Sequence, residues 1–398
     1  MRFQLITIAL IFITITTMFT LVVCNETQEN LREKFIRYYT EWTRYRIQLI
    51  TDPEIGFSSR IAPYVSKIYA HQNFHAIIKL GAQVVPYIFA VSDVELVPAV
   101  EKICKIHIHE QVIRDPIVIP GKDVQITFEE FPEILTELRN WQPGKEWLLW
   151  WLEGEKRTPQ WFSDRYSKWL VARKQGDAQK TKAMYQKLLD IGIAAIPLWL
   201  EKLQSEQDES IRQEIMKALS YLTDGEVNLN MSPQECLKWW EANRERWEIP
   251  FPKSKKEFLK WLEREGWEEQ MLSIPSVITI SRLEDEEAID VLIRFLRHPN
   301  PLVRGTSLGR IMILFGEQLP KEYALGVGTD GWETIGDLID MGKYEWVEKK
   351  VKEVKEAKER MREDEVAEGV AKEIFEWWRN NRGRVKIYWQ RAWRSSHF

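Results

Sequence analysis

One spacing constrains this chain more than any other feature. Gly81 and Pro86 recur as Gly192 and Pro197, and Lys145-Glu146-Trp147-Leu148 recurs as Lys256-Glu257-Phe258-Leu259; each match is offset by 111 residues. Trp150 matches Trp261 at the same offset, and Glu33-Lys34-Phe35-Ile36 with Tyr38 has the same shape 112 residues before Trp147 and Trp150. Self-similarity at a long fixed period is the mark of a supersecondary unit used several times, each copy burying its apolar face against neighbours. The spacing predicts three tandem units over 25–144, 145–255 and 256–398, behind an N-terminal segment 1–24.

The centre of each unit reads as a helix pair. In Asp285 to Gly316, Ile289, Leu292, Ile293 and Leu296 recur at helical spacing. A polar turn, Pro299 to Pro301, separates them from a second run through Leu302, Leu308, Ile311 and Leu314. Each helix thus carries one apolar face. Ile191 to Asp224 has the same layout, and a weaker copy begins at Leu80. The turn and the Val303-Arg304 opening of the second helix, matched by Ile211-Arg212, give this pattern a resemblance to the HEAT repeat family. The resemblance implies protein partners and a structural role for Arg212 and Arg304, each bridging to an acid of the neighbouring repeat. Some HEAT-like proteins are phycobilisome lyases; no bilin-handling motif is present in this chain, and its N-terminal export signal points away from that role.

A capped helix closes each unit. Ser232-Pro233-Gln234-Glu235 is a capping box with proline at the first helical position. Thr127-Phe128-Glu129-Glu130 makes a second box, opening a helix that reaches Trp141. Trp239-Trp240-Glu241-Ala242-Asn243-Arg244 is echoed by Trp377-Trp378-Arg379-Asn380-Asn381-Arg382, a W-W-x-x-N-R signature. At about 110 residues the unit is longer than the ~40–47 of a plain HEAT repeat, so either further helices are inserted or further repeats have diverged past recognition. A small hairpin is expected where Ile117–Ile119 and Val124–Thr127 flank Pro120-Gly121, with a remnant at Val227–Leu229. The mixed Lys/Glu run from Lys343 to Glu368, with pairs such as Glu353/Lys357, reads as a solvated helix. The fold expected is all-α: a HEAT-like α-solenoid of helix pairs with inserted Trp-rich helices, preceded by a hydrophobic signal or anchor helix.

Residues Phe3 to Cys24 contain no charged side chain, and at ~1.5 Å per residue such a run spans a bilayer core. Three readings stay open: an uncleaved signal-anchor, a cleaved signal peptide, and lipidation at Cys24 after the lipobox-like Leu21-Val22-Val23, whose Val23 departs from the small residue that pattern requires. All three place the rest of the chain outside the cytoplasm, with Arg2 on the inner side. Cys104 and Cys236, both in apolar surroundings, are expected as buried unpaired residues, with a disulfide between them left open.

Little chemistry is visible. His71 and His75 stand four apart on a helix and His107 and His109 follow, but Gln72 occupies the position where a zincin helix carries glutamate. Gly326 to Gly331 lacks the strand–turn–helix context of a phosphate loop. No catalytic residue, metal or cofactor is assigned. A net charge of −4 argues against nucleic acid as a partner. The C-terminal 30 residues are different: Trp377, Trp378, Arg379, Arg382, Arg384 and Trp389 interleave rings with cations. They form the candidate binding group, suited to an anionic membrane surface. The competing reading is a last helix with tryptophans packed inward and arginines outward. The expected function is a non-catalytic extracytoplasmic scaffold with protein partners. The alternatives are a carbohydrate or envelope-polymer binder using exposed tryptophans, and an enzyme of unidentified chemistry.

Overall fold

A computed structural model describes residues 31–49, 67–91, 93–106, 143–320 and 361–394. The N-terminal segment to Cys24, the hairpin, the Thr127 box with Trp141, His107, His109, the glycine-rich stretch at 326–331 and the charged run through residue 360 lie outside the described residues. Among the described residues every regular element is an α-helix or a 3-10 turn, and no strand occurs. The all-α expectation is met. The extended remnant expected at Val227–Leu229 is instead a turn: Thr223 ends the preceding helix and its Oγ1 accepts the Val227 N–H at 3.0 Å.

The chain divides into two compact units, each assembled from separated stretches. The first comprises Met1–Tyr87, Pro98–Ile106 and Lys168–Pro250, and the second Ile88–Val97, His107–Ser167 and Phe251–Phe398. Helices are labelled in chain order. They begin with α1 (31–49), α2 (Gln72–Lys79), α3 (Val85–Val91), α4 (Val97–Cys104) and α5 (Pro143–Lys174). The expected boundary at 144/145 falls in the first turn of α5.

In the first unit, α6 (Ala178–Leu189) leads into the pair α7 (Ile196–Ser205) and α8 (Glu209–Leu222). The pair packs together, and α9 (Pro233–Trp247) covers α7. Asp208 caps α8 by accepting the Ser210 and Ile211 N–H groups. The Ser232 box is present at the start of α9: Ser232 Oγ accepts the Glu235 N–H at 3.3 Å, and Glu235 Oε2 accepts the Ser232 N–H at 2.6 Å. Two orphan donors at one helix end are thereby satisfied. Trp199, Leu200 and Leu203 of α7 face Ile215, Leu219 and Leu222 of α8 in the buried core.

The second unit repeats the order. Helices α10 (Lys255–Glu268) and α11 (Gln270–Ser281) pack on each other, and the pair α12 (Glu286–Phe295) and α13 (Pro301–Phe315) packs against α11. Helix α14 (Asp364–Asn381) lies on α12, and α15 (Trp389–Arg394) lies on α11 and α13. The predicted turn at Pro299–Pro301 is in place: Asn300 caps α13 by accepting the Leu302 N–H at 2.9 Å, and Pro301 takes the first helical position. Full burial of Ile289, Leu292, Phe295, Ile311 and Leu314 gives this pair a dry seam, each such side chain contributing roughly 1.5–3 kcal/mol.

The landmarks that set the period share local structure. Phe35, Trp147 and Phe258 are all buried at helix starts. Gly81 and Gly192 both have positive φ, +78° and +74°, and each opens a 3-10 turn that runs into a helix carrying the matched proline. Gly192 also allows a close approach: a Cβ there would sit 2.1 Å from the Cys104 carbonyl oxygen. Cys104 and Cys236 are buried free thiols, as the apolar context predicted.

Gly192→Ala therefore meets both a left-handed backbone and a backbone clash, whereas Gly225→Ala meets the backbone penalty in open space. We expect Gly192→Ala to cost more than the ~1–3 kcal/mol of strained backbone alone, and Gly225→Ala to fall within that range. Equilibrium denaturant unfolding of the two variants measures the difference.

Candidate functional site

The W-W-x-x-N-R signature of α14 is built mainly into the fold. Its register puts Ile374 and Trp378 inward, together with Val370 and Ala371 a turn earlier. Trp378 is 1% exposed and donates its indole N–H to Asp290 Oδ1 at 2.8 Å. Arg382 donates to Glu286 and to the other Asp290 oxygen, both at 3.1 Å, and its guanidinium lies over the Trp378 ring. Trp377 is half-buried, edge-on to Phe315. Asn381 donates to the Trp377 carbonyl at 2.7 Å, and Asn243 of α9 makes the same bond to Trp239 at 2.8 Å. The motif's asparagine thus ties down the last turn of the helix in both copies.

The remaining members of the predicted group lie at the surface. Arg379 and Arg384 are exposed and Trp389 is half-buried at the start of α15. The six residues share one end of the second unit, but the structure splits them: Trp378 and Arg382 serve packing, and Arg379 and Arg384 face solvent.

The two arginines expected to form a ladder also separate. Arg304 is buried, and its guanidinium donates to the carbonyls of Met361 and Arg362 at 2.8 and 3.0 Å and pairs with Asp364 at 2.9 Å. It also donates to the His298 carbonyl at 3.0 Å. Arg304 therefore fastens the turn before α13 to the start of α14. Arg212 instead pairs with Glu209 in its own helix at 3.4 Å and is partly exposed.

Sequence reasoning missed Arg282 and Arg310. Both are buried, at 6% and 2% exposure, and both donate to the Ala392 carbonyl of α15, at 3.3 and 3.0 Å. Arg310 also donates to Ser281 Oγ at 2.9 Å. Burial pushes the Arg282 guanidinium down to about 10 and, with Arg282 beside it, the Arg310 guanidinium down to about 9. One signal was available: Arg310 lies one turn from Ser307 and Leu314 and two from Val303 on the buried face of α13, where an arginine must find acceptors.

Among the described residues no group of three or more ligating side chains forms, and His107 and His109 lie outside them. His71 instead caps α2, its Nδ1 accepting the Asn73 N–H at 3.3 Å, and stacks on Tyr45. Burial holds the His71 imidazole below its ordinary value against the opposing pull of Glu41. His75 is exposed beside Phe74. Compared with known protein families, with characterised proteins and with solved structures, the chain matches none.

Trp378→Ala opens a core cavity beside Phe315 and should cost about 3–5 kcal/mol. Trp378→Phe keeps most of the packing and loses one hydrogen bond, for about 1 kcal/mol. Arg379→Ala should stay within about 0.5 kcal/mol. Denaturation midpoints of the three variants check the order.

Proposed function

We propose that this chain is a non-catalytic, extracytoplasmic scaffold built on HEAT-like helix pairs, with proteins as its partners. The observation that carries the reading is where the tryptophans sit. Among the described residues Trp42, Trp147, Trp150, Trp151, Trp169, Trp199, Trp247 and Trp378 are buried, Trp161, Trp239, Trp240, Trp261, Trp377 and Trp389 are half-buried, and Trp267 is exposed, at 39%. A polymer-binding platform needs flat ring faces in water; here the indoles pack rings and helices against one another, as Trp151 does between Phe89 and Phe258. Repetition supports the same reading. Matched glycine pivots, matched helix caps at Asp208 and Asn300 and a twice-used asparagine bond describe a unit selected for stacking. Repeat frameworks of this kind offer extended surfaces for binding other proteins.

Two measurements test the proposal. Acrylamide should quench a minority of the tryptophan emission of the folded protein; quenching of most of it would favour the carbohydrate binder. Chemical cross-linking in the native envelope, followed by purification under denaturing conditions, should give a small set of discrete protein adducts. Adducts lost when Arg379 or Arg384 is replaced would place the contact at the exposed end of α14. An absence of protein adducts, together with retention on an envelope polymer, would overturn the scaffold reading.

A further inference from the structure

We propose that the His298–Asn300 turn is an acid-sensitive latch for α14: protonation of His298 at Nδ1 breaks the turn, and the broken turn no longer anchors the Arg304 clamp on the start of α14. His298 is 5% exposed, and its Nδ1 accepts the Asn300 N–H at 3.0 Å. A nitrogen that accepts from a fixed backbone donor has no room for a proton of its own. The ring lies between Trp267 and Phe295, and its Nε2 faces the Gly266 carbonyl without reaching hydrogen-bond geometry.

The same turn carries the acceptors of Arg304. The carbonyls of His298 and Pro299 receive the Arg304 guanidinium at 3.0 and 3.3 Å, while its other donors hold Met361 and Arg362. Loss of the turn therefore removes one side of the clamp on α14. The charges around His298 oppose protonation. Arg304 on α13 is the nearest cation; Arg297, next in sequence, is held by Glu368 of α14, and Asp364 of α14 is held by Arg304. On α10, Glu265 is paired with Arg264 and Glu263 with Arg294. Burial, reinforced by Arg304, keeps the His298 imidazole below its ordinary value of 6.5.

A lowered histidine fixes the sign. The stabilising contribution is complete above about 6.5 and is lost as pH falls through that value toward the lower folded one. The other helix pair shows that the role belongs to the turn: Glu206 Oε1 accepts the Asp208 N–H at 3.0 Å, the same bond from a carboxylate. An acceptor is needed in both pairs, and in the second unit it is a histidine ring nitrogen, which can take a proton of its own.

The test uses the full chain and the variant His298→Gln, whose amide oxygen accepts the Asn300 N–H at any pH. Amide hydrogen exchange of α14 is measured relative to α11 in the same sample, at about pH 7.5 and about pH 5, with intrinsic chemistry corrected. In the wild type, relative protection of α14 should fall on the order of tenfold, and in His298→Gln it should change by less than about threefold. Equal behaviour of the two proteins, or unchanged wild-type protection, overturns the latch. Should His298→Gln fail to fold, the imidazole resonances of the wild type decide. Titration of His298 below 6.5 together with loss of α14 protection supports the latch, and titration at or above 6.5 overturns it.

Discussion

Helix ends are the constraint on which this molecule depends. A chain of short helices has many termini, and each terminus presents backbone groups without intrahelical partners. A long single helix would satisfy most of its backbone internally; paired helices must satisfy the ends one by one, close to a dry seam. The side chains that matter most here are the ones doing so. Ser232 with Glu235, Asp208, Asn300 and His71 supply acceptors at N-termini, and Arg304 supplies donors to the carbonyls that precede α14. The apolar seams between paired helices provide most of the driving force, but the caps decide where each helix starts, and so which residues face inward.

This division explains which features could be read from sequence. A seam is written locally, as apolar residues at helical spacing, and both good pairs, α7 with α8 and α12 with α13, are legible from 191–224 and 285–316. Caps are local too, and the Ser232 box follows from four residues. The period is legible because Gly81 and Gly192 need positive φ, which few other residues tolerate. Contacts between distant residues leave no such trace. Trp378 and Asp290 are 88 positions apart, and Arg282 and Ala392 are 110 apart. From sequence, the rings and cations near the C-terminus could be a surface group or an inward-packed last helix, and the bond between Trp378 and Asp290 is what turns Trp378 inward.

Arg212 and Arg304 show how the same residue at the same place can take opposite roles. Both follow a capped turn at the fourth position after the cap, Asp208 or Asn300. Arg304 is enclosed, so each of its donors must be matched, and backbone carbonyls of the next segment do the matching. Arg212 is open to water, and an exposed pair with Glu209 three residues back suffices; such pairs contribute little to stability. The difference lies in what covers the turn, which a resemblance between repeats does not encode.

Buried cations carry a cost that apolar packing does not. Arg282 and Arg310 stand close enough to oppose each other's charge, and both reach one carbonyl of α15. Replacing buried ionic groups by well-packed apolar ones is often neutral or stabilising, so two arginines under one short helix are a poor choice for stability alone. What they add is a geometric constraint that an apolar floor does not impose: in the observed placement of α15 the Ala392 carbonyl meets both guanidinium groups. The same logic holds at Arg304, whose donors fit one placement of the residues before α14. In the second unit the apolar seams make the helices stick, and the buried arginines select where the last two of them stop.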